Sequence, residues 1–198
     1  MTPYRLGLTG SIAMGKSTTA AMFAAEGIPV WDADASVHAL YAPGGAATEG
    51  IGRLFPDVIR AGGVARDLLR AKIAADPAVL DRVQAVVHPL VAASRAAFIA
   101  ATRAKIVLLD IPLLFETGAE AFCDGVVVVS APAAVQRQRL LDRGTMTGAE
   151  YELILQRQMP DAEKRARATW VIETMDLDTA GMAVKRILGE IRERLHDA

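Results

Sequence analysis

Residues 10–17 of the chain read GSIAMGKS, and this pattern constrains the possible folds more than any other feature of the sequence. It matches the phosphate-loop pattern G-x-x-x-x-G-K-S. The apolar segment Arg5–Thr9 precedes it, and the helix-forming segment KSTTAAMFAA follows it. This strand–turn–helix arrangement lets backbone N–H groups and the helix N-terminus surround a phosphate. An ordinary glycine-rich turn is the alternative, and the lysine and hydroxyl at the expected positions make it much the weaker interpretation.

The predicted roles within this loop follow from its chemistry. Lys16 is expected to reach the β- and γ-phosphate oxygens, and Ser17 is expected to bind Mg²⁺. Because the phosphate contacts come from backbone amides, we predict that Ala13 needs no positive φ, a conformation that alanine resists. The predicted nucleotide-binding residues of the loop are Gly10, Ser11, Ile12, Ala13, Met14, Gly15, Lys16, Ser17 and Thr18.

Composition narrows the class of protein further. With 198 residues, of which 52% are hydrophobic, the chain can bury a sizeable core and suits one domain with an inserted lobe. Its formal net charge of -1 gives no reason to expect nucleic acid as a partner. Cys123 is the only cysteine, so no intramolecular disulfide can form. No signal pattern and no apolar run near the ~18–20 residues of a membrane span are present, so we predict a cytoplasmic protein without a membrane partner, monomeric or weakly oligomeric.

Short apolar runs alternate with longer helical patterns, which predicts an α/β fold with a mostly parallel sheet. Val126–Val129 is apolar on both faces, as expected for a buried parallel strand. The last helical pattern, from about Asp178, carries an apolar stripe formed by Val184, Ile187, Leu188, Ile191 and Leu195. The five candidate strands are Arg5–Thr9, Ile28–Trp31, Ile106–Asp110, Val126–Ser130 and Trp170–Glu173.

The connection between the second and third strands is much longer than a single crossover helix needs. We predict that residues 35–101 form a helical, substrate-binding insertion and that residues 1–34 and 102–198 form a nucleotide-binding core. The helical patterns of the insertion lie around Ala35–Leu40, Ala47–Leu54, Asp67–Ala75 and Ala78–Ala101, with loops at Tyr41–Gly45 and Ile59–Gly63.

Three aspartates follow predicted strands, at the sheet edge where ligands gather in parallel sheets. Asp32 and Asp34 share a face if the chain stays extended, and one of them could orient an attacking hydroxyl or accept its proton. Equally, Asp32 could cap the next helix and Asp34 could favour its first turn, and the pattern leaves these interpretations near even. Asp110, after four apolar residues, is predicted to lie near the metal, the alternative being a turn before Pro112.

Arginines cluster after the fourth predicted strand. Arg139 and Arg143 lie four residues apart, so one helix face presents both guanidinium groups. The capping-box pattern Thr147–Glu150 starts another helix, and together these features predict a helical lid over residues 137–167. Any single surface arginine is more often solvated than functional. His88, beside Pro89 and among apolar residues, is on this pattern alone a packing residue.

Taken together, these segments resemble the dephospho-coenzyme A kinase family over nearly the whole chain. The resemblance rests on DAD, HP and PLLFE more than on the phosphate loop, which a whole superfamily shares. It implies a P-loop kinase core, a helical substrate domain and a lid. It also implies transfer of the γ-phosphoryl group of ATP to the 3′-hydroxyl of dephospho-coenzyme A, the last step of coenzyme A biosynthesis. The segments, in the family's order, are GLTGSIAMGKS, VWDAD, RDLLR, VVHPLV, IPLLFE, QRQRLLDR and VIET.

The resemblance also assigns residues to roles. It implies that Asp34 is the base toward the 3′-hydroxyl and that Arg66, His88 and Pro89 bind the coenzyme A moiety. It places Arg143 near the nucleotide, with Arg139 beside it. The predicted catalytic residues are therefore Asp34, Lys16 and Arg143, the predicted metal ligands are Ser17 and Asp110, and the predicted cofactors are ATP and Mg²⁺.

The chain departs from the family pattern at a few positions. The family loop has glycine, glycine and serine where this chain has Ser11, Ala13 and Met14. Near the end, Glu173 and Thr174 replace an Asp-Asn pair that lies close to the adenine side in the family. None of these departures removes Lys16, Ser17 or Asp34.

Three other classes of protein also carry a phosphate loop of this kind. A nucleoside or nucleoside monophosphate kinase shares the phosphate loop, but the long insertion and the His-Pro pair argue against it. A GTPase-type switch reads guanine with an asparagine, and this chain has none. A regulatory ATP-binding module without chemistry stays open, and turnover with dephospho-coenzyme A distinguishes it.

Overall fold

The computed structural model describes residues 2–143, 155 and 158–197. The chain divides into two compact units, residues 1–31 with 103–198 and residues 32–102. In chain order the helices and strands are β1 Tyr4–Thr9, α1 Lys16–Ala25, β2 Val30–Asp32, α2 Ala33–Tyr41, α3 Ala46–Leu54, β3 Ile59–Arg60, β4 Gly63–Val64, α4 Arg66–Ala75, α5 Ala78–Ala101, β5 Ile106–Asp110, β6 Gly125–Ser130, α6 Ala133–Arg143, α7 Asp161–Arg167, β7 Trp170–Glu173 and α8 Leu177–His196.

The first unit is built on a five-stranded sheet in the order β2-β5-β1-β6-β7. β1 pairs in parallel with β5 and with β6, and β6 pairs in parallel with β7. This confirms the predicted α/β fold with a five-stranded sheet flanked by helices. Because β1 lies between β5 and β6, the loops after the carboxyl ends of β1 and β5 emerge side by side, at the sheet edge where α/β proteins bind ligands.

The apolar sequence of the central strands explains their position. β5 and β6 are buried along their whole length, as expected for parallel strands covered on both faces. The predicted apolar stripe of the last helix packs onto this core. The largest fully buried side chains of this unit include Leu6, Leu8, Phe23, Leu108, Leu109, Ile172, Ile187, Leu188 and Ile191.

The second unit is a small helical body with a core of its own. A hydroxyl–hydroxyl hydrogen bond of 2.9 Å joins Ser36 on α2 to Ser94 on α5. Two cations, Lys72 and Arg82, lie over the ring of Phe55 at 5.7 and 4.7 Å from its centroid. The buried core of this unit consists of Ala47, Ile51, Phe55, Val58, Val64, Leu69, Val79, Val83 and Val87.

The segment Ile59–Gly63 differs from its prediction as a loop. It forms the antiparallel hairpin β3–β4, in which Ile59 pairs with Val64 and Arg60 with Gly63. The two turn residues, Ala61 and Gly62, both have positive φ, 48° and 78°. A two-residue hairpin of this kind needs positive φ at both turn positions, which an Ala-Gly pair signals poorly in sequence.

Helix α5 spans the predicted segment Ala78–Ala101 and contains Pro89 in its interior. Its valines Val79, Val83 and Val87 lie in the core of the second unit. By length and composition, α5 is the one helix in the described part of the chain that could cross a membrane, with a mean hydropathy of 1.4. The sequence analysis did not single out this segment because Asp81, Arg82 and Arg95 interrupt its apolar residues.

Candidate active site

The phosphate loop connects β1 to α1, and its two outer glycines are required by space and by backbone conformation. A Cβ atom at Gly10 would lie 2.4 Å from Val129 Cγ2 and 2.7 Å from the Val129 carbonyl oxygen, so no side chain fits there. Gly15 precedes α1 with φ 87°, in the left-handed region that glycine adopts at little cost. The loop therefore lies directly against strand β6 and enters α1 through a left-handed turn.

Ala13 also has positive φ, at 60°, and the prediction that it would not is wrong. The left-handed conformation costs an L-residue roughly 1–2 kcal/mol. The loop accommodates this because the Ala13 side chain is 7% exposed and packs with Leu140 of α6. Burial of the methyl group offsets part of the backbone cost, so the surroundings impose the conformation on Ala13.

Lys16 is paired with Asp110, with 2.5 Å between Lys16 Nζ and Asp110 Oδ1. The parallel register explains their meeting, because Leu8 near the end of β1 lies beside Asp110 at the end of β5. Asp110 is 3% exposed, so its carboxylate is a buried negative charge at the loop. The structure thus places two of the predicted site residues in direct contact.

The start of α1 supplies further donors. The first amides of a helix, those of Lys16, Ser17 and Thr18 here, have no intrahelical acceptor and carry the positive end of the helix dipole. Ser17 and Thr18 are exposed, while Thr19 is buried and bonds back to the Gly15 carbonyl oxygen at 3.2 Å. This end of the helix can therefore receive an anion.

Thr174, which the sequence analysis noted only as a departure from the family pattern, forms hydrogen bonds that fix the phosphate loop. Its buried hydroxyl donates to the Met14 carbonyl oxygen at 2.8 Å. Arg139 donates from one guanidinium nitrogen to Thr174 Oγ1 at 3.1 Å and from another to the Thr174 carbonyl oxygen. A cleft of about 240 Å³ adjoins this network, lined by Ala13, Gly15, Thr18, Thr19, Met22, Arg139, Thr174, Asp176, Leu177 and Ala180.

Two glutamines that the sequence did not single out contact the loop at Ile12. Gln136 Nε2 donates to the Ile12 carbonyl oxygen at 2.8 Å, and the Ile12 amide donates to Gln158 Oε1 at 3.2 Å. Gln136 is 4% exposed. Glutamines in an arginine-rich segment carry no recognisable pattern, so nothing in the sequence could have identified them.

Behind the site, Glu116 forms a buried ion pair with Lys164, whose Nζ lies 2.8 Å from Glu116 Oε1. Glu116 Oε1 also accepts the Met159 amide at 2.8 Å. Lys164 is fully buried. Burial raises the pKa of the Glu116 carboxyl, but the charge of Lys164 and the backbone N–H donors outweigh it, so the pKa lies below its ordinary value. The pair joins the loop after β5 to helix α7.

The predicted lid is described only in part. Arg143 ends α6, and its side chain lies outside the described residues. Residues 144–154 and 156–157, which include the capping-box pattern Thr147–Glu150, also lie outside them. Arg139 is the predicted lid residue that the structure places at the loop, through Thr174.

The remaining predicted residues lie in the second unit. Asp32 Oδ1 accepts the Ala35 amide at 2.9 Å, so Asp32 caps helix α2. Asp34 is exposed in the first turn of the same helix. His88 is exposed on α5, so the packing role that its apolar neighbours suggested is wrong. Arg66 is exposed at the start of α4, close enough to Tyr41 that its charge opposes the rise in the pKa of Tyr41 caused by burial.

The phosphate loop joins a strand of this sheet to a helix, and a lysine–aspartate pair lies at the carboxyl edge of the sheet. These features define a P-loop kinase. The family model for dephospho-CoA kinase matches residues 4–178. The dephospho-CoA kinase of Cereibacter sphaeroides is 60% identical over 193 residues, covering 98% of each chain, and that of a Jannaschia species is 54% identical, covering 96% of this chain and 98% of its own. The chain belongs to the dephospho-CoA kinase family.

Solved structures share this fold. A crystal structure of a protein from Thermus thermophilus superimposes with a TM-score of 0.86 at 36% identity, covering 96% of this chain and 98% of its own. The dephospho-CoA kinase of Campylobacter jejuni superimposes with a TM-score of 0.70 at 20% identity, covering 94% of this chain and 96% of its own, and supports the fold.

Proposed function

We propose that the chain transfers the γ-phosphoryl group of ATP to the 3′-hydroxyl of dephospho-coenzyme A, giving coenzyme A and ADP. The observation that carries this proposal is the Lys16–Asp110 pair at an intact phosphate loop, in a member of the dephospho-CoA kinase family. The phosphate loop alone would indicate only a nucleotide-binding protein.

The phosphate donor is assigned to the first unit. Amides of the loop and of the first turn of α1 would bind the β- and γ-phosphates, and Lys16 would direct its ammonium toward them. Lysine carries three N–H donors, so Lys16 can bind phosphate oxygen while one donor stays on Asp110. The adenine ring would enter the cleft beside Arg139 and Thr174, whose walls combine apolar side chains with a few polar groups.

The donor set at the loop fits Mg²⁺. This cation prefers oxygen ligands and usually takes only one or two carboxylates, with phosphates and water completing its shell. Asp110 supplies a carboxylate and Ser17 a hydroxyl, and the described residues contain no group of three or more metal-ligating side chains that would form a cage. When bound, the cation would neutralise charge on the phosphates.

The acceptor is assigned to the insertion, residues 35–101, and to Asp34 immediately before it. Asp34 follows β2 by two residues, at the start of α2, and is exposed to solvent. Because Asp32 is engaged as the helix cap, Asp34 is the carboxylate that we assign to orient the ribose hydroxyl and take its proton. Arg66, His88 and Pro89 are all exposed on this unit, and we assign them to the coenzyme A moiety.

Catalysis of phosphoryl transfer consists mainly of positioning and of stabilising charge. Lys16 and the loop amides would hold the γ-phosphoryl group, while Asp34 would orient the attacking oxygen. Arg143, in the proposed lid 137–167, would close over the transferring group.

The acceptor is tested with a coupled assay for ADP release. Dephospho-coenzyme A should support turnover, whereas nucleosides and nucleoside monophosphates should release ADP no faster than the sample without acceptor. Faster turnover with a nucleoside monophosphate would identify the other class of kinase. ATP binding without turnover on any acceptor would identify a regulatory module.

The base is tested by two matched substitutions on the same turn. Asp34→Asn should lower kcat by roughly 10²–10⁴-fold and leave ATP binding intact. Asp32→Asn should change kcat little, because asparagine also caps helices well. Near-full kcat in Asp34→Asn, or equal losses in both variants, would show that Asp34 is not the base.

A further inference from the structure

The backbone of Ile12 is held on both sides by side chains. Its carbonyl oxygen accepts from Gln136 Nε2 at 2.8 Å, and its N–H donates to Gln158 Oε1 at 3.2 Å. Gln136 lies in α6, and Gln158 lies just before α7. The identity of each Ile12 group fixes which end of each glutamine amide faces it, because a carbonyl needs a donor and an N–H needs an acceptor.

This contact surrounds the strained position of the loop. Ala13, the next residue, has φ 60° and packs with Leu140, and Ile12 and Leu155 pack against the same pair. A non-glycine residue in the left-handed region persists only where its surroundings determine it. On the Ile12 side of Ala13, the groups that fix the backbone conformation are the side chains of Gln136 and Gln158.

On the other side of Ala13, separate hydrogen bonds fix the backbone of Met14. The Met14 carbonyl oxygen accepts from Thr174, and the Met14 amide donates to the Ser11 carbonyl oxygen at 3.2 Å. The backbone groups flanking the left-handed residue are thus fixed before and after it. Gln136 is 4% exposed, so its side-chain amide bonds within the protein and not to bulk water.

We propose that Gln136 and Gln158 are positioning residues for ATP, which hold the backbone C=O and N–H of Ile12 and so keep Ala13 in the left-handed conformation that the phosphate loop requires. The inference rests on the proposed function for its ligand, ATP. It assigns no chemical step to either glutamine. Both act through the backbone of the loop.

The mechanism predicts a specific coupling between the glutamines and residue 13. Without the two hydrogen bonds, an alanine at position 13 returns to negative φ more often, and the population able to bind ATP falls. A glycine at position 13 visits positive φ freely, so the same loss of hydrogen bonds then removes a smaller part of that population.

The test measures ATP affinity by titration calorimetry in Gln136→Met and Gln158→Met, each with and without Ala13→Gly. Methionine keeps the length of glutamine and lacks its amide. In the Ala13 background, each substitution should raise the Kd for ATP by about fivefold to tenfold, the effect of about one hydrogen bond. In the Ala13→Gly background, the same substitutions should raise it by about twofold or less.

Controls separate this role from general packing. Gln138→Met lies on the same helix at an exposed position, where Gln138 bonds only Asp142 in the described structure, and should leave the Kd for ATP unchanged. The Kd for dephospho-coenzyme A should stay within about twofold in every variant. If Gln136→Met does not fold, Gln158→Met, at a less buried position, provides the same comparison.

Either of two results overturns the proposal. One is an ATP Kd within twofold of the parent in both methionine variants, and the other is an equal loss with alanine and with glycine at position 13. The measurement needs no turnover, so a chain that fails to phosphorylate dephospho-coenzyme A but shows the coupling would refute the proposed function and support the role of the glutamines.

Discussion

The buried ion pair between Glu116 and Lys164 leads to a quantitative prediction. The Lys164 side chain is fully buried, and its Nζ lies 2.8 Å from the Glu116 carboxylate. Glu116→Gln keeps the shape of the side chain and an acceptor for the Met159 amide, but removes the negative charge. Breaking a buried pair by removing one partner typically costs about 3–5 kcal/mol, because a charge is left buried alone.

This cost sets the expected effect on stability. Glu116→Gln should lower the free energy of unfolding by about 3–5 kcal/mol at pH 7. For a chain of this length, that loss corresponds to a fall in Tm of roughly 6–20 °C.

Urea unfolding of the parent and of Glu116→Gln at pH 7, followed by circular dichroism, measures this difference. Glu116→Gln combined with Lys164→Met provides the matched control, since it removes both charges and should recover much of the stability. A loss below 1 kcal/mol in Glu116→Gln, or a loss of the same size in the double variant, would refute the reasoning that a stranded ammonium carries the cost.

Two further predictions concern the phosphate loop and the amino ends of β1 and β6. Thr174→Val removes the donor to Met14 and an acceptor for Arg139, so the Kd for ATP should rise roughly tenfold by calorimetry, and a change below twofold would count against the role of Thr174. The side-chain hydrogen bonds of Arg5, opposed by burial and helped by the Arg5 backbone N–H, hold the pKa of the Asp124 carboxyl below its ordinary value of 3.8. Such a group stabilises the fold above pH 3.8 and loses that contribution as the pH falls through its lowered pKa. Asp124→Asn should therefore reduce the difference in unfolding free energy between pH 6 and pH 2.5, measured in urea, and an unchanged difference would contradict this linkage.

The fold was predictable because its signals are local. Short-range sequence patterns predicted three of its features: the strand β6 with its four valines, the apolar stripe of α8, and the strand–loop–helix arrangement at the phosphate loop. The hairpin β3–β4 was missed because its Ala61-Gly62 turn departs from the sequences that mark such turns.

The sequence predicted site residues only where a functional side chain lies in a recognisable sequence motif. Lys16 comes after one predicted strand and Asp110 ends another, so the sequence placed both at the same sheet edge but did not predict their ion pair. The left-handed conformation of Ala13 could not, since it depends on contacts with α6 that are distant in sequence. The same holds for Thr174, Gln136 and Gln158, whose roles arise from hydrogen bonds to backbone groups of the loop.

The most direct test of the proposed function is the identity of its product. The chain should be incubated with ATP and dephospho-coenzyme A, and the product examined by mass spectrometry and by ³¹P NMR. The account predicts one added phosphate, attached at the 3′-position of the ribose, with one ADP formed for each product molecule. A phosphate at any other position, or ADP formed without a phosphorylated acceptor, would contradict it.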